Sequence, residues 1–571
     1  MEANFYLEDS AFQELMDHLL PPSQKPWARD LFTRMGKLAG TEIDRLAMIA
    51  NKEKPVLRQY DREGNRIDQV VYHPAYLEMA KLAYEFGMVG LPYASEEKTG
   101  GNKVGPLIKF GLGYLFSKAE VGLYCPICLT DGTLRVIEKY GNEKLKKEFI
   151  PRLASMNFET LYQGAMFLTE KQAGSDVGNI ETRAVYEDNI WKLYGEKWFA
   201  SNVNAEVIIT LAKIEGAASG TRGLSLFLVS KTLENGERNS VRINRLKDKL
   251  GVASMATGEL TFDGTQAYPI GDLNEGFHYM TEMLNLSRLY NAVASLGIMG
   301  RSVFESLRYS RERKAFGSFL NEFPLVRRTL VDMVLEWETS LHLVFHTAHF
   351  LEQEDLSGNP KGYMMRRILI PLSKYHTGKM SVRLASEALE LFGGKGYIEE
   401  FVASRLLRDA QVLPVWEGTS NILALDVLRS IRKESADQAF FQDLQEKLDG
   451  IHVQPLERLK ERVNQIRQEA ATHLSYLKSQ PEDYQQFYAR DLADQMVRLY
   501  QGVLLLKEAE RDIQNRGSGR NALLVHLFLN RHFDKENLKS PRTGLRLELD
   551  FFEALVYRQT LPVEKVLPFI L

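Results

Sequence analysis

Cysteine is almost absent: the chain holds two, Cys125 and Cys128, in 571 residues. That excludes a secreted fold built on disulfides and fits a reducing compartment, so a cytoplasmic location is expected. The Cys-Pro-Ile-Cys spacing admits buried structural thiols, a redox pair or half a zinc site. Zinc needs two further ligands, and no matching cluster stands nearby, so no metal is expected. Apolar runs are short as well. None approaches the roughly 20 residues a helix needs to cross a bilayer, and Met1–Asp9 carries acids where a secretory signal would be basic and then apolar. Excess charge is missing too, because a formal net charge of -3 gives no global pull toward nucleic acid or anionic membrane. The chain also lacks a P-loop and a glycine fingerprint between strand and helix, since Gly393-Gly394-Lys395-Gly396 follows a helical stretch. These absences count against an NTPase or a nicotinamide domain and leave a flavin held in another way open. No repeat of solenoid length is evident.

What is present is a long globular chain, 44% hydrophobic and 26% charged, for which three or four structural units are expected. The pattern predicts an α+β fold in four parts. Residues 1–160 read as mostly helical, with a polar interruption at Asp61–Asn65, a Gly-rich loop at Gly100–Gly105, a helix over Tyr76–Met88 and Ser95 as a candidate cap. Residues 161–275 read as a small antiparallel β-domain. Its β-prone runs are Ala184–Tyr186, Ile190–Tyr194, Val207–Ala212, Leu224–Val229 and Gly258–Phe262, with Asp188-Asn189 as a hairpin turn. Residues 276–440 read as a helical bundle, on the proline-free runs Leu284–Arg313 and Val326–Gln353. Residues 441–571 read as an additional, separate helical domain. In it Leu456, Leu459, Val463, Ile466, Ala470 and Leu474 form one apolar face that suits a packed domain better than a coiled coil.

Two segments carry candidate chemistry. Leu168–Asp176 offers hydroxyls and a glycine that can present donors to a cofactor oxygen, or it is a polar turn at the edge of the sheet. Trp416-Glu417-Gly418-Thr419-Ser420-Asn421 interrupts two apolar runs. A glutamate between tryptophan and glycine can lie in an apolar cleft, where desolvation makes it a better base; the alternatives are a helix-start acid or a structural ion pair.

Taken together, five spaced segments resemble the acyl-CoA dehydrogenase family, in its large AidB-like branch of adaptive-response flavoproteins. They are Phe167–Asp176, Gly195–Phe199, Arg245–Gly251, Glu312–Gly317 and Trp416–Ile422, and the resemblance is strong over about residues 70–435. It implies an N-terminal helical domain, a middle β-domain and a C-terminal bundle, with FAD bound across a subunit interface and therefore a homodimer or homotetramer. By the same resemblance Thr169 and Ser201 contact the flavin. Ser175 lies near the pantetheine and the cofactor phosphates, and Phe199 replaces the tryptophan that many relatives place over the ring. Arg313 and Phe316 reach the FAD of a neighbouring subunit. Gly393, Gly394, Thr419 and Asn421 approach the cofactor. Two departures stand out: Pro324 and Glu390 occupy positions where relatives carry glutamines.

The implied reaction is desaturation of acyl-CoA thioesters, with Glu417 taking the α-proton, Arg288 beside it, and electron-transferring flavoprotein as the acceptor. A competing class is a flavoprotein whose main role is nucleic-acid binding under alkylation stress. Residues 441–571 contain 19 Lys plus Arg against 19 Asp plus Glu. A broad basic surface is therefore not written there, although a local patch around Arg511–Arg520 remains open.

Overall fold

The computed structural model describes residues 3–534 and 546–570. The chain divides into two compact units, Met1–Ser10 with Leu20–Tyr290, and Ala11–Leu19 with Asn291–Leu571.

Helix α1 (Ser10–Leu19) belongs almost wholly to the second unit, and the first unit proper begins with α2 (Lys25–Leu38) and α3 (Asp44–Lys52). The polar interruption expected in this mostly helical region is a hairpin. Val56–Tyr60 (β1) and Arg66–Val71 (β2) pair as an antiparallel hairpin, and Asp61–Asn65 is its turn. Asp61 Oδ1 accepts from the N–H groups of Glu63 and Asn65 at 2.8 and 2.9 Å, and Gly64 takes φ +85°. The hairpin buries no core of its own; Leu57, Val70 and Tyr72 lean on the sheet core instead. Alternation alone therefore read as an interruption between helices.

Helix α4 (Pro74–Phe86) follows, closed by Gly87 at φ +100°. Then come α5 (Glu96–Thr99), with Ser95 at its N-cap backbone position but without a side-chain bond, α6 (Pro106–Ser117), α7 (Tyr124–Tyr140) and α8 (Glu143–Leu153). Cys125 and Cys128 lie on α7, half-buried and buried, and are not joined to each other.

Seven strands form the sheet: β3 (Gly164–Phe167), β4 (Arg183–Glu187), β5 (Ile190–Ser201), β6 (Val207–Ile214), β7 (Leu224–Ser230), β8 (Val241–Leu246) and β9 (Thr257–Pro269). The path runs β3-β6-β4-β5-β9-β7, with β8 on β9, and a β6–β7 pairing brings it back on itself. All five β-prone runs lie in strands, and Asp188-Asn189, both at positive φ, turns β4 into β5. The purely antiparallel expectation is corrected, because β3–β6 and β4–β6 are parallel. In the chain β4 and β5 lie between β3 and β6, and β5 between β4 and β6, so neither parallel pair is joined by a packed helix. Phe167, Leu193, Phe227, Leu260 and Phe262 fill the sheet core.

The second unit is helical. Helix α9 (Gly276–Glu312) enters it from Asn291 onward, followed by a two-residue-per-strand hairpin, β10 (Lys314–Ala315) and β11 (Ser318–Phe319). Next come α10 (Pro324–Ser357), α11 (Pro360–Leu391), α12 (Val402–Ala410), α13 (Ser420–Glu434) and α14 (Ala436–Asp449). They are followed by α15 (Glu457–Lys478), α16 (Glu482–Phe487), α17 (Ala489–Arg516) and α18 (Arg520–His532). The expected apolar face is buried on α15 through Leu459, Val463, Ile466, Ala470 and Leu474.

These additional helices pack closely on the bundle. Helix α17 packs on α10, α11, α13 and α14, so bundle and C-terminal helices share one core. A boundary at 440 would cut α14; the break in the helix falls at Ser435, which adopts φ +55°.

Candidate active site

In the first unit the end of β3 lies against β5: the Trp198 N–H donates to the Thr169 carbonyl at 2.8 Å. That bond places Thr169 beside Trp198 and Phe199. Phe199 is 52% exposed, a large aromatic face that no residue of the chain covers fully, with the Lys247 ammonium 4.9 Å from its ring centre. Ser201, further along β5, has its hydroxyl 3.4 Å from that of Thr257. Lys249 donates to the same Thr257 at 3.2 Å, and a cleft of about 190 Å³ opens there between Lys247 and Lys249. Ser175 is exposed on the loop leaving Thr169. Arg288 is half-buried on α9, with Nη1 3.4 Å from Asn285 Oδ1.

Sequence reading missed what holds this edge together. Glu170 and Lys197, one from each matched segment, form a buried ion pair at 2.7 Å. Glu170 also accepts from Thr182 Oγ1 and from the N–H groups of Glu181 and Thr182. Burial pushes the Glu170 carboxyl up, but the Lys197 ammonium and these donors outweigh it and hold it below the usual carboxylate range. The pair fixes the loop that carries Thr169 and Ser175.

In the second unit Arg313 is exposed at the end of α9, and the β10–β11 turn follows it. Phe316 (φ +50°) and Gly317 (φ +87°) make that turn, and the Phe316 ring is fully exposed. Gly393 and Gly394 open the 3-10 turn after α11, and a Cβ on either would meet nothing within 4 Å. Glu390 is exposed, and Pro324 is the first residue of α10, where a missing N–H does no harm.

Glu417 stands on the turn between α12 and α13 at φ +57°, followed by Gly418 at φ +102°. A left-handed non-glycine residue costs about 1–2 kcal/mol, so the surroundings must impose it. Helix α11 supplies them. A Cβ on Gly378 would lie 3.3 Å from the Leu413 carbonyl oxygen and from Pro414 Cα, and one helical turn earlier the Lys374 ammonium donates to the Gly418 carbonyl. Trp416 Nε1 is buried with no hydrogen-bond partner. Thr419 caps α13 by backbone position, and Thr419 and Asn421 are exposed at its first turn. Glu417 is thus not an acid inside a helix. It is a half-buried carboxylate on a strained, braced turn.

These features fit FAD. The first unit offers an uncovered aromatic face flanked by hydroxyls and ammonium groups. The second offers an orphaned indole donor, an open glycine pair, a free-standing aromatic and an exposed guanidinium, a donor set suited to a flat ring and an anionic diphosphate.

A helical layer, a mixed sheet that returns on itself and a long-helix bundle bearing an acid on a strained turn define the scaffold of a flavin-dependent acyl-thioester oxidoreductase. Family profiles agree. Residues 1–160 match the adaptive response protein AidB N-terminal domain, residues 165–265 the acyl-CoA dehydrogenase middle domain and residues 274–432 its C-terminal domain. Residues 436–521 match the acyl-CoA dehydrogenase 11 C-terminal domain-like family. Acyl-CoA dehydrogenase family member 11 of Caenorhabditis elegans is 34% identical over 89% of this chain and 84% of its own. Putative acyl-CoA dehydrogenase AidB of Escherichia coli is 31% identical over 76% and 79%. The crystal structure of Caenorhabditis elegans ACDH-11 in complex with C11-CoA superposes with a TM-score of 0.86 at 31% identity, covering 96% of this chain and 95% of that one. The chain belongs to the acyl-CoA dehydrogenase family, and its activity is of that FAD-dependent oxidoreductase type.

Proposed function

We propose that the protein desaturates acyl-CoA thioesters between the α and β carbons, with Glu417 as the base. The observation that carries this reading is the braced left-handed turn that holds Glu417 where it interrupts the apolar run. A thioester α-proton is weakly acidic, and a positioned carboxylate is the base that can take it. Bound FAD would supply the two-electron acceptor chemistry, with N5 as the atom for the β-hydride. The balance is then complete: the α-proton goes to the Glu417 carboxylate, the β-hydrogen leaves with its electron pair, and a carbon–carbon double bond forms. The Glu417 backbone N–H stabilises charge on the thioester oxygen, so base and oxyanion donor belong to one residue.

In the first unit Thr169, Phe199 and Ser201 would hold the flavin, and Ser175 the phosphates and pantetheine. In the second, Gly393, Gly394, Thr419 and Asn421 would line the cofactor, while Arg313 and Phe316 reach that of a second copy. The uncovered Phe316 ring supports a homo-oligomer, dimer or tetramer. The family resemblance assigns Arg288 a catalytic role, and the acceptor for the reduced cofactor is electron-transferring flavoprotein. No described helix is long and apolar enough to cross a membrane.

The protein is expected to purify yellow with about one FAD per chain. Anaerobic titration with butyryl-, octanoyl-, undecanoyl- and palmitoyl-CoA should bleach the flavin with at least one of them. A folded protein that binds no flavin, or one that none of these reduces, defeats the proposal.

Nucleic-acid binding is disfavoured by how the basic residues near Arg511–Arg520 are used. Arg511 pairs with Glu508, Arg516 with Asp512 and Glu14, and Arg520 is buried against Glu338. Neutralised guanidinium groups release few counterions from a duplex. The full chain should therefore show no tight, steeply salt-dependent binding to duplex DNA in fluorescence anisotropy, and finding such binding would reinstate that function.

A further inference from the structure

We infer that Lys374 is a positioning residue for the catalytic base: its ammonium, clamped on the Gly418 carbonyl, sets the turn that aims Glu417. The inference rests on the reading of Glu417 as base. Lys374 lies in the middle of α11 and is completely buried. A buried ammonium needs strong acceptors, and here one acceptor is the peptide carbonyl immediately after the proposed base.

Three features make this contact more than packing. Glu417 and Gly418 are consecutive left-handed residues, so no regular helix or strand ladder can fix their peptide planes. Gly378, four residues on and so on the same face of α11, lets the backbone of Leu413 and Pro414 approach to 3.3 Å. The helix therefore holds the turn at both ends, by close approach before Trp416 and by a charged hydrogen bond after Glu417. The bond is directional, which packing is not, and a charge-assisted donor is among the stronger devices for fixing a carbonyl.

The test uses the full-length holoenzyme and the acyl-CoA that reduces the parent fastest. In Lys374→Met the anaerobic flavin-reduction rate at saturating substrate should fall about 10²-fold, the scale expected when a catalytic group is misplaced by about 1 Å. FAD content and KM should stay near the parent values while the rate falls. Lys374→Arg, which keeps a charged donor, should recover much of the rate. If Lys374→Met does not fold, Lys374→Gln serves in its place, with a neutral donor on a shorter arm and an expected intermediate loss. A parent-like rate in the folded variant, or a loss that only follows lost FAD and lowered thermal stability, overturns the inference. Glu417→Gln separates the two claims. If that variant is inactive while Lys374→Met is parent-like, only the lysine's role falls. If Glu417→Gln reduces flavin normally, the base assignment falls and the lysine's role goes with it.

Discussion

Glu417→Gln will retain its fold and its yellow colour and lose flavin reduction by acyl-CoA about 10³-fold or more, near the upper part of the range for a general base. Glutamine matches glutamate in size and meets the same backbone demand at φ +57°, so the turn clamped by Lys374 and shaped by Gly378 has no reason to collapse. What disappears is the carboxylate lone pair that accepts the α-proton. Glu417→Asp keeps the charge and retracts it by one methylene, so a smaller but clear loss is expected where alignment is demanding. The measurement is single-turnover bleaching under anaerobic conditions, with FAD content and thermal unfolding in parallel. Parent-like bleaching by the glutamine variant would end the assignment. Arg288 could not take over, because a guanidinium is already protonated and has no lone pair to offer.

The sequence made some of this legible because certain features are local. The α15 stripe, the Asp188-Asn189 turn and the long runs of α9 and α10 are each fixed within one or two turns of chain, and each lies where alternation or helical spacing places it. The β1–β2 hairpin was not legible, since its strands are justified only by burying Leu57 and Val70 on residues that come much later in the chain. Nor were the parallel pairings of β6, which depend on which strand finds which edge. For the site, Glu417 stood out by its neighbours Trp416 and Gly418, whereas the lysine that braces it did not. Lys374 is one of several charged residues along α11, and nothing local sets it apart until the helix is folded against the turn. The Glu170–Lys197 pair was hidden in the same way, with its two halves 27 residues apart. Features that join distant segments through one polar contact leave little trace in local pattern.

The second large effect is on stability, in the buried charge cluster of the second unit. Glu338 on α10 is 2% exposed; it pairs with Arg520 at 2.7 Å and with Arg558 at 2.8 Å. Arg520 donates in addition to the carbonyls of Ala554 and Leu555, and Arg558 also reaches Glu14 on α1. One carboxylate therefore ties α10, α18 and the C-terminal helical turns, with α1 joined through Arg558. Removing it as Glu338→Leu leaves two buried guanidinium groups short of their acceptor, and breaking a buried pair from one side typically costs about 3–5 kcal/mol. Arg520→Met added to Glu338→Leu should recover part of that loss, because an apolar pair demands no acceptor.

The pH dependence has a definite sign. Burial alone would raise the Glu338 carboxyl, but Arg520 and Arg558 outweigh it and hold it at about 2, against 4.5 for the unfolded chain. A depressed carboxylate stabilises the fold above its unfolded value and loses that contribution as pH falls through the folded one. The stability gap between parent and Glu338→Leu should accordingly be widest near neutrality and narrow as pH falls from 4.5 toward 2. Denaturant unfolding across that range reads the gap directly, and a gap independent of pH would show that Glu338 acts by packing rather than by charge.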